Sequence, residues 1–239
     1  MKIQSAFWKV CLVSLVLVGS RAIADPNTDY SNGVIPTPPC PFPEQFKDYQ
    51  ILPSSISPDG QYALIYPKRS VLYELKEYSL YLVSLNPFRI LTIIPLRWSN
   101  LAENDHGWYQ VNWSKNSTAV VMIEGAKWGA DKVYLTTVRN GNAGSLTDLT
   151  QQVTREVEDS FLQSKASRFN EFYEFWIGGD SWEFLNNNQI QIRNECTNDP
   201  KRLSKKSWNV RFDGVWDISK GEFTSKKIIP LPTSPTQSP

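Results

Sequence analysis

Short alternating apolar runs, each bounded by turn residues, constrain the fold of this chain more than any other feature. In Ser57–Tyr66 the pair Asp59-Gly60 supplies a turn, and apolar side chains then recur at every second position. The runs Tyr78–Leu85 and Arg89–Leu96 follow almost directly, with Asn86-Pro87 between them. Connections this short cannot make the crossovers that parallel strands need, so the sequence predicts an antiparallel meander. The apolar residues that alternate after the first turn are Tyr62, Leu64 and Tyr66.

The same pattern returns later in the chain. Val111–Gly125 places Ser114 where Ser57 stands in the first run, and Lys132–Val138 matches the run that ends at Leu85. Self-similarity at a fixed period is the signature of stacked repeat units. The sequence therefore predicts a mainly β fold of about three antiparallel meander units. A third and looser copy runs through Trp182–Glu195, Ser207–Ile218 and Lys227–Leu231.

The first unit resembles a blade of the TolB-like and WD40-like β-propeller repeats. The resemblance covers Ile51–Leu231, and only the first copy matches it well, because the second keeps Ser114 and loses the Pro-Asp-Gly. It implies a propeller-like scaffold, which binding proteins and enzymes both use. Propellers close with about 4–8 blades, so three units imply an incomplete or distorted ring, or a set of packed antiparallel sheets. The residues that carry the resemblance are Ser57, Pro58, Asp59, Gly60, Tyr62, Leu64 and Tyr81-Leu82-Val83.

One segment departs from the β pattern. Between Ser145 and Phe169 apolar residues recur every four positions, with polar residues on the other faces. This period predicts one amphipathic helix near residues 146–168, capped by Thr147 or Asp148 and laid over an apolar sheet. The residues of its apolar stripe are Leu149, Val153, Val157 and Phe161, with Leu162 beside them.

The two ends of the chain have compositions of their own. Residues 1–24 read as a signal peptide, with lysines before the apolar run Val10–Gly19 and a small-residue cleavage site at Ala22-Ile23-Ala24. We therefore expect a secreted or periplasmic protein with no stable membrane insertion after cleavage. The remaining divisions predicted are an irregular Pro-rich lead-in at 25–43, a single β-repeat domain at 44–231 and a disordered tail at 232–239.

Charge and cysteine content narrow the function classes. Removing residues 1–24 takes away three of the 25 basic residues and none of the 24 acidic ones, which leaves a formal charge of −2. A nucleic-acid-binding protein needs a basic excess, so this chain is not expected to bind nucleic acid. Cys40 and Cys196 would remain, and in an oxidising compartment an even pair predicts one disulfide.

Catalytic motifs are sparse in this sequence. His106 is the single histidine, so a Ser-His-Asp or Cys-His site must use it, and with the cysteines paired no zinc cluster is expected. We predict no metal and no cofactor. Four carboxylates lie among aromatic residues, which fits a glycosidase but also fits the solvent side of β strands. These carboxylates are Glu171, Glu174, Asp180 and Glu183.

Aromatic residues in or beside loops give the leading functional hypothesis, which is a non-catalytic binding protein with a protein or glycan partner. Loops on a rigid β scaffold commonly carry recognition, and Trp and Tyr are favoured anchors. The alternatives are an extracytoplasmic glycosidase- or esterase-like hydrolase that uses acidic residues or His106, and an envelope scaffold protein. Asn112 and Asn116 also match glycosylation acceptors, if the source makes N-glycans. The candidate ligand-binding residues are Trp98, Trp108, Tyr109 and Trp128.

Overall fold

The computed structural model describes residues 41–72, 79–95, 108–126, 129–164, 174–176, 182–198 and 208–231. Within these ranges the strands form three antiparallel sheets that follow one another along the chain. This confirms the prediction of a mainly β fold built from antiparallel meanders with one long helix. The propeller-like ring is not shown by the described strands and stays a prediction.

In each sheet the strands pair in chain order as a meander. Sheets 2 and 3 each have one further strand that pairs outside this order. Sheet 1 consists of β1 (Tyr49–Ile51), β2 (Tyr62–Pro67), β3 (Leu80–Leu85) and β4 (Phe88–Ile94), with a 3-10 turn at Glu44–Phe46 before it and the one-turn helix α1 (Arg69–Leu72) after β2. Sheet 2 consists of β5 (Trp108–Trp113), β6 (Ala119–Ala126), β7 (Gly129–Arg139) and β8 (Asn142–Ala143), with β9 (Thr147–Asp148) also paired to β7. Helix α2 (Leu149–Gln163) follows. Sheet 3 consists of β10 (Glu174–Trp176) and β11 (Trp182–Asn186), both paired to β12 (Gln189–Thr197), then β13 (Asn209–Asp217) and β14 (Glu222–Pro230).

Sheet 2 lies between the other two sheets and is buried on both faces. Along β6, Val120 and Met122 pack in a cluster with residues of sheet 1. Val121 and Ile123 point the other way, into a cluster with sheet 3 and α2. Successive strand residues face opposite sides, so a strand with two buried faces has to be apolar throughout. This explains why the segment "AVVMI" is a continuous apolar run rather than an alternating one.

Sheet 1 is also covered on both faces along β2 and β3, and there its outer face is closed by the chain that leads into it. Ala63 and Ile65 of β2 form a buried cluster with Phe46, and Phe42 and Phe88 pack against that cluster. The apolar run predicted within Ser57–Tyr66 is therefore confirmed as a strand, β2, and both of its faces are buried. Burying both faces removes more apolar area from water and adds to the stability of this strand.

The outer face of sheet 3 is polar and ends the stack. Arg193 and Arg211 each donate from Nε to the Asp213 carboxylate, at 3.1 and 3.2 Å. Exposed ion pairs of this kind contribute little to stability. They make this face compatible with solvent, whereas its opposite face carries Ile190 and Phe212 into the core.

Helix α2 confirms the predicted helix and shortens it. The Asp148 carboxylate accepts from the Gln151 amide at 2.9 Å, which makes Asp148 the N-cap, and residues 147–148 pair with β7 instead of joining the helix. The helix ends at Gln163, and the predicted positions 165–168 lie outside the described residues. All four residues of the predicted stripe are buried, while Leu162 is 59% exposed.

The predicted Cys40–Cys196 disulfide is not found. Cys196 is a free thiol, fully buried in the cluster that joins sheets 2 and 3, and Cys40 lies outside the described residues. Phe42, two residues after Cys40, packs on Phe88 of sheet 1 with ring centroids 5.2 Å apart. The described chain nearest to Cys40 therefore belongs to a different part of the core from Cys196.

The predicted signal peptide, most of the lead-in and the tail lie outside the described residues. In the parts of the chain that the structure describes, no helix combines the length and apolar character needed to cross a bilayer.

Candidate functional site

Hydrogen bonds between turns lock one end of the three sheets, which we call the turn end. The Asp59 amide donates to Ser117 Oγ at 3.1 Å, and the Asn116 amide donates to Asn187 Oδ1 at 3.3 Å. These bonds join the turn before β2 to the turn before β6, and the latter to the turn before β12. Because neighbouring strands are antiparallel, β5 begins and β6 ends at the opposite end, which we call the loop end.

The turns before β2 and β6 share a hydrogen-bond pattern. Ser57 Oγ donates to Asp59 Oδ1 at 2.6 Å and accepts from the Tyr62 amide at 2.9 Å. Ser114 Oγ donates to Asn116 Oδ1 at 2.9 Å and accepts from the Ala119 amide at 2.9 Å. Asp59 and Asn116 therefore act as turn residues, as the sequence predicted for Asp59.

The structure describes two of the four predicted ligand-binding residues. Trp108 and Tyr109 are the first residues of β5 rather than loop residues, while Trp98 and Trp128 lie outside the described residues. Trp108 is half-buried, and its indole covers Gly125 so closely that a side chain at Gly125 would collide with it. Tyr109 is 6% exposed and belongs to the cluster between sheets 1 and 2.

Five polar residues at the loop end of sheet 2 lie together on the face that turns toward sheet 1. Tyr109 is opposite Glu124 in the β5–β6 register, and Glu124 is opposite Lys132 in the β6–β7 register. Two residues further along β7, Tyr134 is opposite Asp148. Residues directly opposite in antiparallel strands have side chains on the same face, within contact distance. We call this group the polar rim; it consists of Tyr109, Glu124, Lys132, Tyr134 and Asp148.

Hydrogen bonds and charges couple the members of the polar rim. The Tyr109 hydroxyl donates to Glu124 Oε1 at 3.2 Å, and Lys132 Nζ lies 3.2 Å from Asp148 Oδ2. Burial raises the pKa of Tyr134; the carboxylates of Asp148 and Glu124 raise it further, while Lys132 opposes them. The Tyr134 phenol is therefore held neutral and able to donate a hydrogen bond.

Sheet 1 contributes a polar pair to the same cluster between the sheets. Gln50 Nε2 donates to the Tyr66 hydroxyl at 2.6 Å, and Tyr66 packs in the cluster that contains Tyr109. Burial raises the pKa of Tyr66, and the bond from Gln50 partly offsets that rise. The tyrosine rings therefore border the polar rim. The tyrosine hydroxyls, the Gln50 amide, the two carboxylates and the Lys132 ammonium group supply its polar atoms.

This arrangement suits recognition by hydrogen bonds better than acid–base chemistry. The Asp148 carboxylate is engaged twice, as the N-cap of α2 and with Lys132, and it is only partly exposed. Glu124 already accepts from Tyr109. Both carboxylates are therefore held in place as hydrogen-bond acceptors by groups of the chain itself.

The residues predicted for catalysis are not part of this group in the described structure. Glu183 lies in β11 opposite Gln191, on the polar outer face of sheet 3. His106, Glu171 and Asp180 lie outside the described residues, and Glu174 is described only as backbone in β10. The described ranges also contain no group of three or more His, Cys, Asp or Glu side chains able to hold a metal ion.

One signal in the sequence points to the rim residues that the predictions missed. Glu124 interrupts the apolar run of β6, and a charge at a position that should be buried indicates a special environment. Lys132, Tyr134 and Asp148 gave no such signal, because only strand pairing brings them to Glu124. No family model matches the chain, and no curated protein sequence matches it.

Proposed function

We propose that this chain is an extracytoplasmic, non-catalytic binding protein whose polar rim binds a hydroxyl-rich ligand such as a glycan chain. The observation that carries the proposal is the group of hydrogen-bonded pairs at the loop end, Tyr109–Glu124 and Lys132–Asp148, beside the Tyr134 phenol. The extracytoplasmic location rests on the signal-peptide pattern in residues 1–24.

The chemistry of the rim supports a glycan over an apolar ligand. Phenol hydroxyls donate and accept, carboxylates accept, and an ammonium group donates three hydrogen bonds, so the rim can satisfy the many hydroxyls of a sugar. The partly buried ring of Tyr134 adds a flat apolar surface for the C–H face of a sugar ring. Lys132 is 48% exposed and Asp148 is 22% exposed at the side chain, so both can reach a ligand from solvent.

The scaffold in this proposal is a propeller-like stack of three sheets that remains open. The shared pattern at Ser57 and Ser114 supports related units, and the polar face around Asp213 supports an open end. Terminal units of repeat proteins commonly carry a polar outer face for solubility. On such a scaffold the recognition groups sit at one end of the sheets, where the strands hold them rigid.

A glycan-binding screen with the purified protein, followed by calorimetric titration of each hit, tests the proposal. Tyr134→Phe removes one hydroxyl and should weaken binding about 2- to 10-fold, as expected for one hydrogen bond. Lys132→Ala removes a charged donor and should weaken binding about tenfold or more. The matched control is Lys115→Ala, which removes an exposed lysine at the turn end and should leave the affinity unchanged.

Three outcomes would contradict the proposal. The first is the absence of any bound glycan, and the second is an affinity that neither Lys132→Ala nor Tyr134→Phe alters. The third is shortening of a bound glycan during incubation, measured by chromatography, since this would favour the hydrolase.

A further inference from the structure

The edge of sheet 3 next to β12 is formed by two strands with a break between them. β10 ends opposite Glu195 of β12, and β11 begins opposite Ile192. The two β12 positions in between, Arg193 and Asn194, have no partner on this side in the described ladders, although β13 pairs with both on the other side. An interrupted ladder leaves backbone polar groups that need other hydrogen-bond partners.

Two buried polar atoms beside this break have no hydrogen-bond partner in the described part of the chain. They are Asn194 Oδ1 and Trp182 Nε1, in residues that are 1% and 2% exposed. Both side chains lie on the face of sheet 3 that carries Ile192 and Phe212 into the core. A buried donor or acceptor without a partner is costly, so such groups in folded proteins are almost always bonded to protein or to ordered water.

These two atoms are complementary and close enough to share one bound molecule. Asn194 is two positions from Ile192 along β12, and Trp182 is directly opposite Ile192, so Asn194 and Trp182 are diagonal neighbours on one face. Diagonal neighbours lie roughly 7–8 Å apart, within reach of long side chains. An indole N–H only donates, and an amide oxygen only accepts. A molecule that accepts from the indole and donates to the amide, at about 2.9 Å each, bridges a gap of up to roughly 6 Å.

Water fits this position better than a metal ion does. A metal ion needs lone pairs, which an indole N–H does not offer, and the described ranges hold no group of side chains able to bind one. Trp216 Nε1 also has no partner in the described structure. Trp216 is opposite Ile190, which is four positions from Asn194 along β12, so it lies beyond the reach of the same water.

We propose that one ordered water molecule is bound between Trp182 Nε1 and Asn194 Oδ1 as part of the structure. Buried waters typically make about three hydrogen bonds, and this one keeps a second donor for a backbone carbonyl. One of any two consecutive strand residues directs its C=O to a given neighbour, so Arg193 or Asn194 offers that carbonyl at the break. The water thus joins β11 to β12 where the ladder stops. The site lies between sheets 2 and 3 and is independent of any ligand at the polar rim.

A crystal structure of the protein, at a resolution that shows ordered water, tests the site directly. The expected result is a water oxygen at about 2.7–3.2 Å from both Trp182 Nε1 and Asn194 Oδ1. Crystals of Asn194→Leu, which replaces the amide by an apolar side chain of similar volume, should lack this water. A protein group bonded to either atom, a dry site, or a water that contacts only one of the two atoms would overturn the proposal. The unmodified protein alone decides this if Asn194→Leu fails to fold.

NMR measures the same water in solution. In the rotating frame, magnetisation that a bound water passes to an indole proton has the opposite sign to magnetisation passed by proton exchange. The Trp182 indole proton, identified by its loss in Trp182→Phe, should show the bound-water sign and should lose it in Asn194→Leu. Trp113 Nε1 donates to the Ser55 carbonyl oxygen at 2.8 Å, so its signal is the reference and should be the same in both proteins. No bound-water signal at Trp182, or one that Asn194→Leu leaves unchanged, would contradict the bridge.

Discussion

Replacing Ser114 with alanine should destabilise the protein, mainly because the buried backbone amide of Ala119 loses its hydrogen-bond acceptor. Ser114 has no exposed surface, and its Oγ accepts from the amides of Ala119 at 2.9 Å and Thr118 at 3.1 Å while donating to Asn116. Alanine keeps the backbone and the volume of the side chain nearly unchanged. The substitution therefore removes the hydroxyl contacts and little else.

The expected loss is about 2–4 kcal/mol. The Ala119 amide is in a buried environment, and a buried donor left without a partner costs about 1–3 kcal/mol. The Thr118 amide and the Asn116 side chain are more exposed and can turn to water, so together they add roughly 1 kcal/mol. For a domain of this size such a loss lowers Tm by roughly 4–16 °C.

Urea unfolding followed by tryptophan fluorescence measures this effect, with an unchanged m-value as the sign that only stability has changed. Ser57→Ala should show a loss in the same direction, because Ser57 Oγ accepts from the Tyr62 amide at 2.9 Å. Ser145→Ala, at an exposed serine, is the control. The reasoning is refuted if Ser114→Ala differs from Ser145→Ala by less than about 0.5 kcal/mol, the usual range of surface substitutions.

Three further predictions concern a thiol, a helix cap and a tyrosine. Burial, with a smaller contribution from the charge of Glu195, raises the pKa of the Cys196 thiol. Iodoacetamide should therefore leave Cys196 unlabelled in the folded protein and label it in denaturant, with no reductant added. If denaturant without reductant gives no labelling, Cys196 is in a disulfide. Asp148→Ala should cost about 0.5–2 kcal/mol by urea unfolding, and Asp148→Asn less, because asparagine still accepts from the Gln151 amide. Burial, and after it the charge of the neighbouring Tyr81, raises the pKa of Tyr49 from 10.0 to about 12. The neutral Tyr49 phenol therefore contributes fully to the free energy of unfolding below pH 10, and this contribution is lost as pH rises toward 12. Tyr49→Phe should reduce that loss, and an identical pH profile in the variant would contradict the assignment.

Local patterns were sufficient to predict the main elements. The turn at Asp59-Gly60 and the run after it predicted β2, and the four-residue period predicted α2 with Thr147 or Asp148 as its cap, of which the structure selects Asp148. These signals act within a few residues, so the chain carries them whatever surrounds it. The end of α2 was placed too late because the polar residues near residue 164 did not mark a stop, whereas the structure ends the helix at Gln163.

The candidate site could not be predicted in the same way. The sequence placed Tyr109 in or beside a recognition loop. The structure places it as the second residue of β5, where its buried ring holds the hydroxyl on Glu124. Lys132 meets Glu124 and Asp148 because β7 is paired with β6 on one side and β9 on the other. Register decides such contacts, and shifting a strand by one residue would turn all its side chains to the other face.

The β class, the turns and the helix follow from the amino-acid sequence alone, because turn chemistry and hydrophobic period are properties of short segments. Three features depend on the packing of the sheets: the burial of sheet 2 on both faces, the place of the free Cys196 thiol in the core, and the polar rim. Each of these depends on which strands pair and which sheets stack. Contacts between residues far apart in the chain fix that choice, since they decide which arrangement buries the most apolar surface.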